Sequence, residues 1–116
     1  ESKDIRRTRR AIMGMATELG FGRLEITRLL SAAKELSQDV INRSSNCKIS
    51  LEKVSYLGRV GIKLTLSEAL ANITQKEDQR PELKQTHLTV KQLVDQFEVK
   101  DIPSSGSVVK LVVWQE

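Results

Sequence analysis

Apolar side chains recur at helical spacing through the first forty residues. From Asp4, a fair N-cap, Ile5, Ile12, Met15 and Leu19 fall on one line, with Thr8 filling the intermediate turn. The spacing predicts a first helix with one buried stripe, ended by Gly20 and Gly22. Arg6, Arg7, Arg10 and Glu18 fall mainly on its other side, where solvent or a partner meets them. A second, longer helix is predicted from about Arg23 to Arg43 on Ile26, Leu29, Leu30, Ala33, Leu36, Val40 and Ile41. Glu25 sits in its electropositive first turn, and Ser44, Ser45 and Asn46 stop it.

The period then changes to two. Cys47, Ile49 and Leu51 alternate with polar residues, and Val60, Ile62, Leu64 and Leu66 alternate with Lys63 and Thr65. Two strands joined near Gly58 form a hairpin. Residues Ala69 to Thr86 are polar without a sustained period and read as a long loop. Val90, Leu93, Val94 and Phe97 predict a third helix over about Leu88 to Gln96, capped by Thr86 or Thr89. Two last strands are predicted around Phe97 to Lys100 and Val108 to Trp114, divided by the Pro103–Gly106 turn. The order is ααββαββ. One-striped helices beside one-faced strands bury both by stacking in two layers, so the fold class expected is an α/β two-layer sandwich. Its sheet is expected to be mostly antiparallel and mixed, with the helices on one face.

Composition narrows the function classes. With 116 residues, of which 39% are hydrophobic and 29% charged, residues 1–116 fit a single domain with one core. The chain opens at Glu1 without methionine, so an upstream first strand is expected to be missing from it. The lone Cys47 allows no internal disulfide, and no apolar run approaches the roughly 20 residues of a membrane span, which points to the cytoplasm and away from a membrane role. Cys47 alternates with Ile49 and Leu51 as a core thiol would. His87, the one histidine, has no ligand-spaced neighbour and reads as a polar loop residue. The net charge of +4 is concentrated near Arg6, Arg7, Arg9 and Arg10, a density suited to an acidic partner. Nucleic acid is not expected, because aromatics are few and neither zinc spacing nor a helix-turn-helix pair occurs.

The string Ala16-Thr17-Glu18-Leu19-Gly20-Phe21-Gly22, followed by a long helix, resembles the first helix and turn of the stressosome switch kinases and anti-sigma factor serine/threonine kinases. These belong to the GHKL, or histidine kinase-like ATPase, family with its Bergerat fold. The resemblance extends through the closing helix Val90–Phe97 and the last strands. In that family the second helix carries a Glu that polarises the attacking group and, four residues later, an Asn that helps hold Mg²⁺. The matching positions are Glu35, as base, and Asp39, as metal ligand. The family's Asp-x-Gly-x-Gly turn, whose Asp accepts the adenine amino group, is replaced by Glu68-Ala69-Leu70-Ala71-Asn72, which leaves Glu68 at the adenine position. Its glycine-rich phosphate turn is replaced by Lys84–Thr89, and no glycine occurs between Gly61 and Gly106.

The resemblance therefore implies a degenerate regulatory protein, a pseudoenzyme acting by protein–protein contact in a bacterial signalling circuit, with ATP binding weak or lost. Its partners would be a STAS-domain antagonist, a sigma factor or a phosphatase, met through Arg6, Arg7, Arg10 and Glu18, and a homodimer is compatible with the same layout. No cofactor is expected under this reading. The alternative is a divergent ATP-dependent serine/threonine kinase that phosphorylates a STAS-domain protein, using Mg²⁺ and the carboxylates Glu35, Asp39 and Glu68. Glu35 and Asp39 also admit a plainer reading. Wheel arithmetic sets them opposite the Ile26 to Ile41 stripe, where they would form a solvated acidic face.

Overall fold

The two apolar stripes become two helices, α1 (Lys3–Leu19) and α2 (Arg23–Asn42), joined through Gly20, Phe21 and Gly22. Residues 3–42, 46–69, 86–102 and 106–115 are described by the structure, a computed structural model.

The joint has a specific physical construction. The Gly20 amide donates to the Thr17 carbonyl at 3.1 Å and the Phe21 amide to the Ala16 carbonyl at 2.9 Å, while Gly20 adopts φ +80°. This pair of bonds is a Schellman cap, which needs a left-handed residue at the position Gly20 occupies. Phe21 and Ala16 are both buried in the core, the apolar contact that usually completes the motif. Gly22 then caps α2. Its carbonyl accepts from Ile26 at 3.0 Å, and its amide donates to the carboxylate of Glu25, giving the glutamate arm of a capping box. Glu25 thus sits in the first turn of α2 as expected, and it is only 5% exposed, its carboxylate serving a backbone donor inside the turn.

A further bond closes the joint from the other end of the chain. The Gln115 side-chain amide donates to the Leu19 carbonyl at 3.1 Å and to the Gly20 carbonyl at 2.9 Å, and the Gln115 backbone amide donates to Val60 at 2.7 Å. α1 has no basic residue in its last turn, so Gln115 supplies the donors its orphan carbonyls need. Gln115→Ala is expected to cost about 1 kcal/mol, seen as a lower urea midpoint with unchanged slope.

Four strands follow: β1 (Asn46–Tyr56), β2 (Arg59–Ala69), β3 (Gln96–Ile102) and β4 (Gly106–Trp114). A third helix, α3, is described over 86–93 and precedes β3, so the order is ααββαββ as predicted. α3 stops short of the predicted Gln96 because the Asp95 amide is already bonded to the Val112 carbonyl at 3.0 Å, which commits the chain to the sheet. The hairpin β1–β2 turns at Leu57 (φ 49°) and Gly58 (φ 79°), the two positive angles of a type I′ turn.

The sheet order is β1-β2-β4-β3 and every pairing is antiparallel. The mixed sheet expected from the pattern is thus corrected. A parallel pair would need β3 beside β2 or β4 beside β1, but β4 lies between β2 and β3. β4 is apolar on both faces, with Val109, Leu111, Val112, Val113 and Trp114 all buried, whereas β3 carries exposed Gln96, Glu98 and Lys100 and suits an edge. Register aligns Ile49, Leu66 and Val109 across three strands, then Leu51, Leu64 and Leu111, on the face that the helices cover. α2 touches β2 and β4 and α1 touches β1, so Ile12, Ala16, Leu29, Ala32, Leu36 and Val90 close one core against that face.

Candidate functional site

Burial orients α2 before any chemistry is considered. Its buried positions are Glu25, Leu29, Ala32, Ala33, Leu36 and Ser37, so the buried line is turned toward Ala32 and away from the Ile26 and Leu30 edge that periodicity suggested. Arg28, Glu35 and Asp39 fall at i, i+7 and i+11, within about 20° of one line on the helix, and that line lies roughly a third of a turn from the buried centre. Glu35 and Asp39 therefore stand on a flank of α2, not opposite its stripe.

Arg28 shows where this flank looks. Its guanidinium pairs with Asp95 Oδ1 at 3.3 Å, and Asp95 Oδ2 accepts the Trp114 backbone amide at 2.7 Å. One carboxylate so ties α2 to the start of β3 and the end of β4. Glu35, two turns further along, is exposed on the same line. Glu68 lies in β2 opposite Cys47 of β1 and Ser107 of β4. The side chains of Asp39, Glu68 and Cys47 lie outside the described residues, as do residues 70–85, while Thr86–Thr89 of the segment expected at the phosphate turn, Lys84–Thr89, form the first turn of α3. Among the described residues, no three His, Cys, Asp or Glu side chains gather where one cation would be held. His87 is not the loop residue expected. It lies in α3, half-buried, with its ring 5.5 Å from that of Phe97.

The α1 surface is better defined. Arg6, Arg10 and Met13 follow at i, i+4 and i+7, and Arg7, Gly14 and Glu18 at i, i+7 and i+11, so the two lines form one exposed sector. All four predicted contact residues, Arg6, Arg7, Arg10 and Glu18, are exposed there, and Met13 is 42% exposed among them. A cationic sector with an apolar side chain inside it is a surface that suits an acidic protein partner, since Arg combines charge, planar hydrogen bonding and an apolar stem. Sequence reasoning found this face because charge is read directly. It missed Asp95 and Gln115, whose partners are remote in the chain.

The string Ala16–Gly22 is now accounted for by folding alone: Schellman cap, buried Phe21 and capping box. Its chemistry fixes the angle between α1 and α2.

No protein-family profile matches the chain. In sequence it is 25% identical over 121 residues to the serine/threonine-protein kinase RsbT of Bacillus subtilis (strain 168), an alignment covering 96% of this chain and 89% of that protein. The similarity is distant but runs nearly end to end, and it supports a relationship to a kinase of that kind. No helix among the described residues is long and apolar enough to cross a membrane.

Proposed function

We propose that this chain is a regulatory protein of a bacterial, cytoplasmic partner-switching circuit, built on a Bergerat-type domain, that acts by protein–protein contact and has lost tight nucleotide binding. The observation that carries the reading is the end-to-end similarity to a serine/threonine-protein kinase, 96% of this chain against 89% of that one. Two features shape it. The exposed sector of α1 offers Arg6, Arg7, Arg10 and Glu18 to a partner such as a STAS-domain antagonist, a sigma factor or a phosphatase. The stretch from Gly61 to Gly106 lacks the glycines that let a backbone approach phosphates closely.

A second reading is favoured by the relative's being a serine/threonine-protein kinase. In it the chain is a divergent ATP-dependent kinase, with Glu35 as base, Asp39 holding Mg²⁺ and Glu68 at the adenine. Lys76, Arg80 and Lys84 would then hold phosphates as point charges in place of glycine-rich backbone.

Calorimetric titration with ATP and Mg²⁺, alongside thermal unfolding, separates the two. A ligand at 100 times its Kd stabilises the folded state by about 2.7 kcal/mol. The regulatory reading expects no heat and no shift at millimolar ATP. Micromolar binding that disappears in Glu68→Ala would overturn it in favour of the kinase.

A further inference from the structure

The seam between α1 and α2 opens outward near the start of α1 into a groove of about 210 Å³. That is more than ten times the roughly 15 Å³ needed to lodge one water. Ile5, Leu30 and Ala33 give it an apolar floor, while Arg9 and Lys34 supply two cationic heads and Thr8, Ser31 and Ser37 three hydroxyls. Ser37 is itself 5% exposed, and among the described residues no acidic side chain lines the groove. The groove lies on the opposite flank of α2 from Glu35. It is also separate from the exposed sector of α1, since Arg9 is turned about 60° away from Arg6 on the helix.

We infer that this groove is a binding site for a small amphipathic anion, a phosphate or carboxylate head on a short aliphatic body. Two cations of different reach, with hydroxyl donors beside them, match an oxygen-rich anionic head. The aliphatic floor matches a body of a few carbons, and such pockets take affinity from the floor and orientation from a few polar groups. A bare inorganic ion would leave Ile5, Leu30 and Ala33 wetted, so body and head together fit the lining where either alone does not. The inference stands on the groove and is independent of the function proposed above. A ligand here would bridge the two helices whose angle the Gly20–Gly22 turn fixes.

The test is titration of the ¹⁵N-labelled chain with butyl phosphate and with hexanoate, using inorganic phosphate as a head without a body. Amide shifts centred on Thr8, Arg9, Leu30, Ser31 and Lys34, saturating in the millimolar range or below, are expected for at least one amphiphile. Which of the two produces them identifies the head. Lys34→Glu changes an exposed side chain, so it should fold normally and weaken binding about tenfold or more. Lys100→Glu, an exposed change of the same charge on β3, should leave binding unaltered. The inference is overturned by a lack of shifts with both amphiphiles, by inorganic phosphate binding as tightly as they do, or by equal loss in the two charge variants.

Discussion

Gly61→Val is expected to destabilise the domain by about 2–3 kcal/mol, because the only free volume at this position is already filled by an aromatic ring. Gly61 of β2 pairs with Trp114 of β4, on the sheet face away from the helices. A Cβ at Gly61 would stand 2.7 Å from Trp114 Cε3, 3.1 Å from Cζ3 and 3.1 Å from the Val113 carbonyl oxygen. None of these atoms is the end of a flexible chain. The guanidinium of Arg59 lies over the ring, 5.4 Å from its centroid, and the Trp114 backbone amide donates to Asp95. Trp114 is 8% exposed although it points away from the core, and any displacement uncovers it. It is also the one tryptophan, so its fluorescence reads the change directly. Urea unfolding followed at Trp114 should show a lower midpoint, an unchanged slope and a red-shifted native spectrum. Gly14→Ala provides the contrast. Gly14 lies inside α1 with open space around its Cβ, so alanine should raise stability by about 0.5–1 kcal/mol. Equal midpoints for Gly61→Val and the parent would mean that Trp114 does not lie across Gly61.

That contact also marks what sequence could and could not reveal. Strand periodicity identified Ile62, Leu64 and Leu66 as the inward face, and register then matched them with Val113, Leu111 and Val109 without exception. The α1 stripe and the glycine-marked helix joint were equally legible, since caps and stripes are local and depend on residues within one or two turns. Asp95 gave no such signal. Its partners are Arg28, 67 positions away, and the Trp114 amide, 19 positions away, and no pattern within a window of ten residues encodes either. Gln115, bonded across 95 and 96 positions to Gly20 and Leu19, is the extreme case. Glu25 was legible as a first-turn residue of α2 but its burial against the Gly22 amide was not, because a glutamate at the third helical position serves either the dipole or the backbone donor of the cap. For the candidate site the same division holds. The arginine face of α1 follows from charge and helix geometry alone. How Glu35 and Asp39 on α2 stand relative to Glu68 in β2 follows from the packing of helix on sheet, which is tertiary information.

Arg6→Glu combined with Arg10→Glu is the variant with the largest expected effect on function. Under the regulatory reading it should weaken binding to the cognate partner by at least about 100-fold while leaving stability almost unchanged. Arginine is enriched among the few interface residues whose loss costs about 2 kcal/mol or more, and reversal adds repulsion against an acidic partner, so two such sites together pass the roughly 2.7 kcal/mol that a 100-fold loss represents. Stability should hold because both side chains are exposed on the outer sector of α1, away from Ile5, Ile12 and Ala16 on the buried line. The measurement is biolayer interferometry against a STAS-domain antagonist, a sigma factor and a phosphatase from the same bacterium, at two salt concentrations. An electrostatically steered face predicts that the parent's association rate falls with added salt, and that the variant loses most of this dependence. Lys100→Glu on β3, matched in sign of change but remote from α1, should bind like the parent. If it weakens binding as much as an α1 reversal does, the relevant surface is not α1, and net charge or the open sheet face carries the interaction instead.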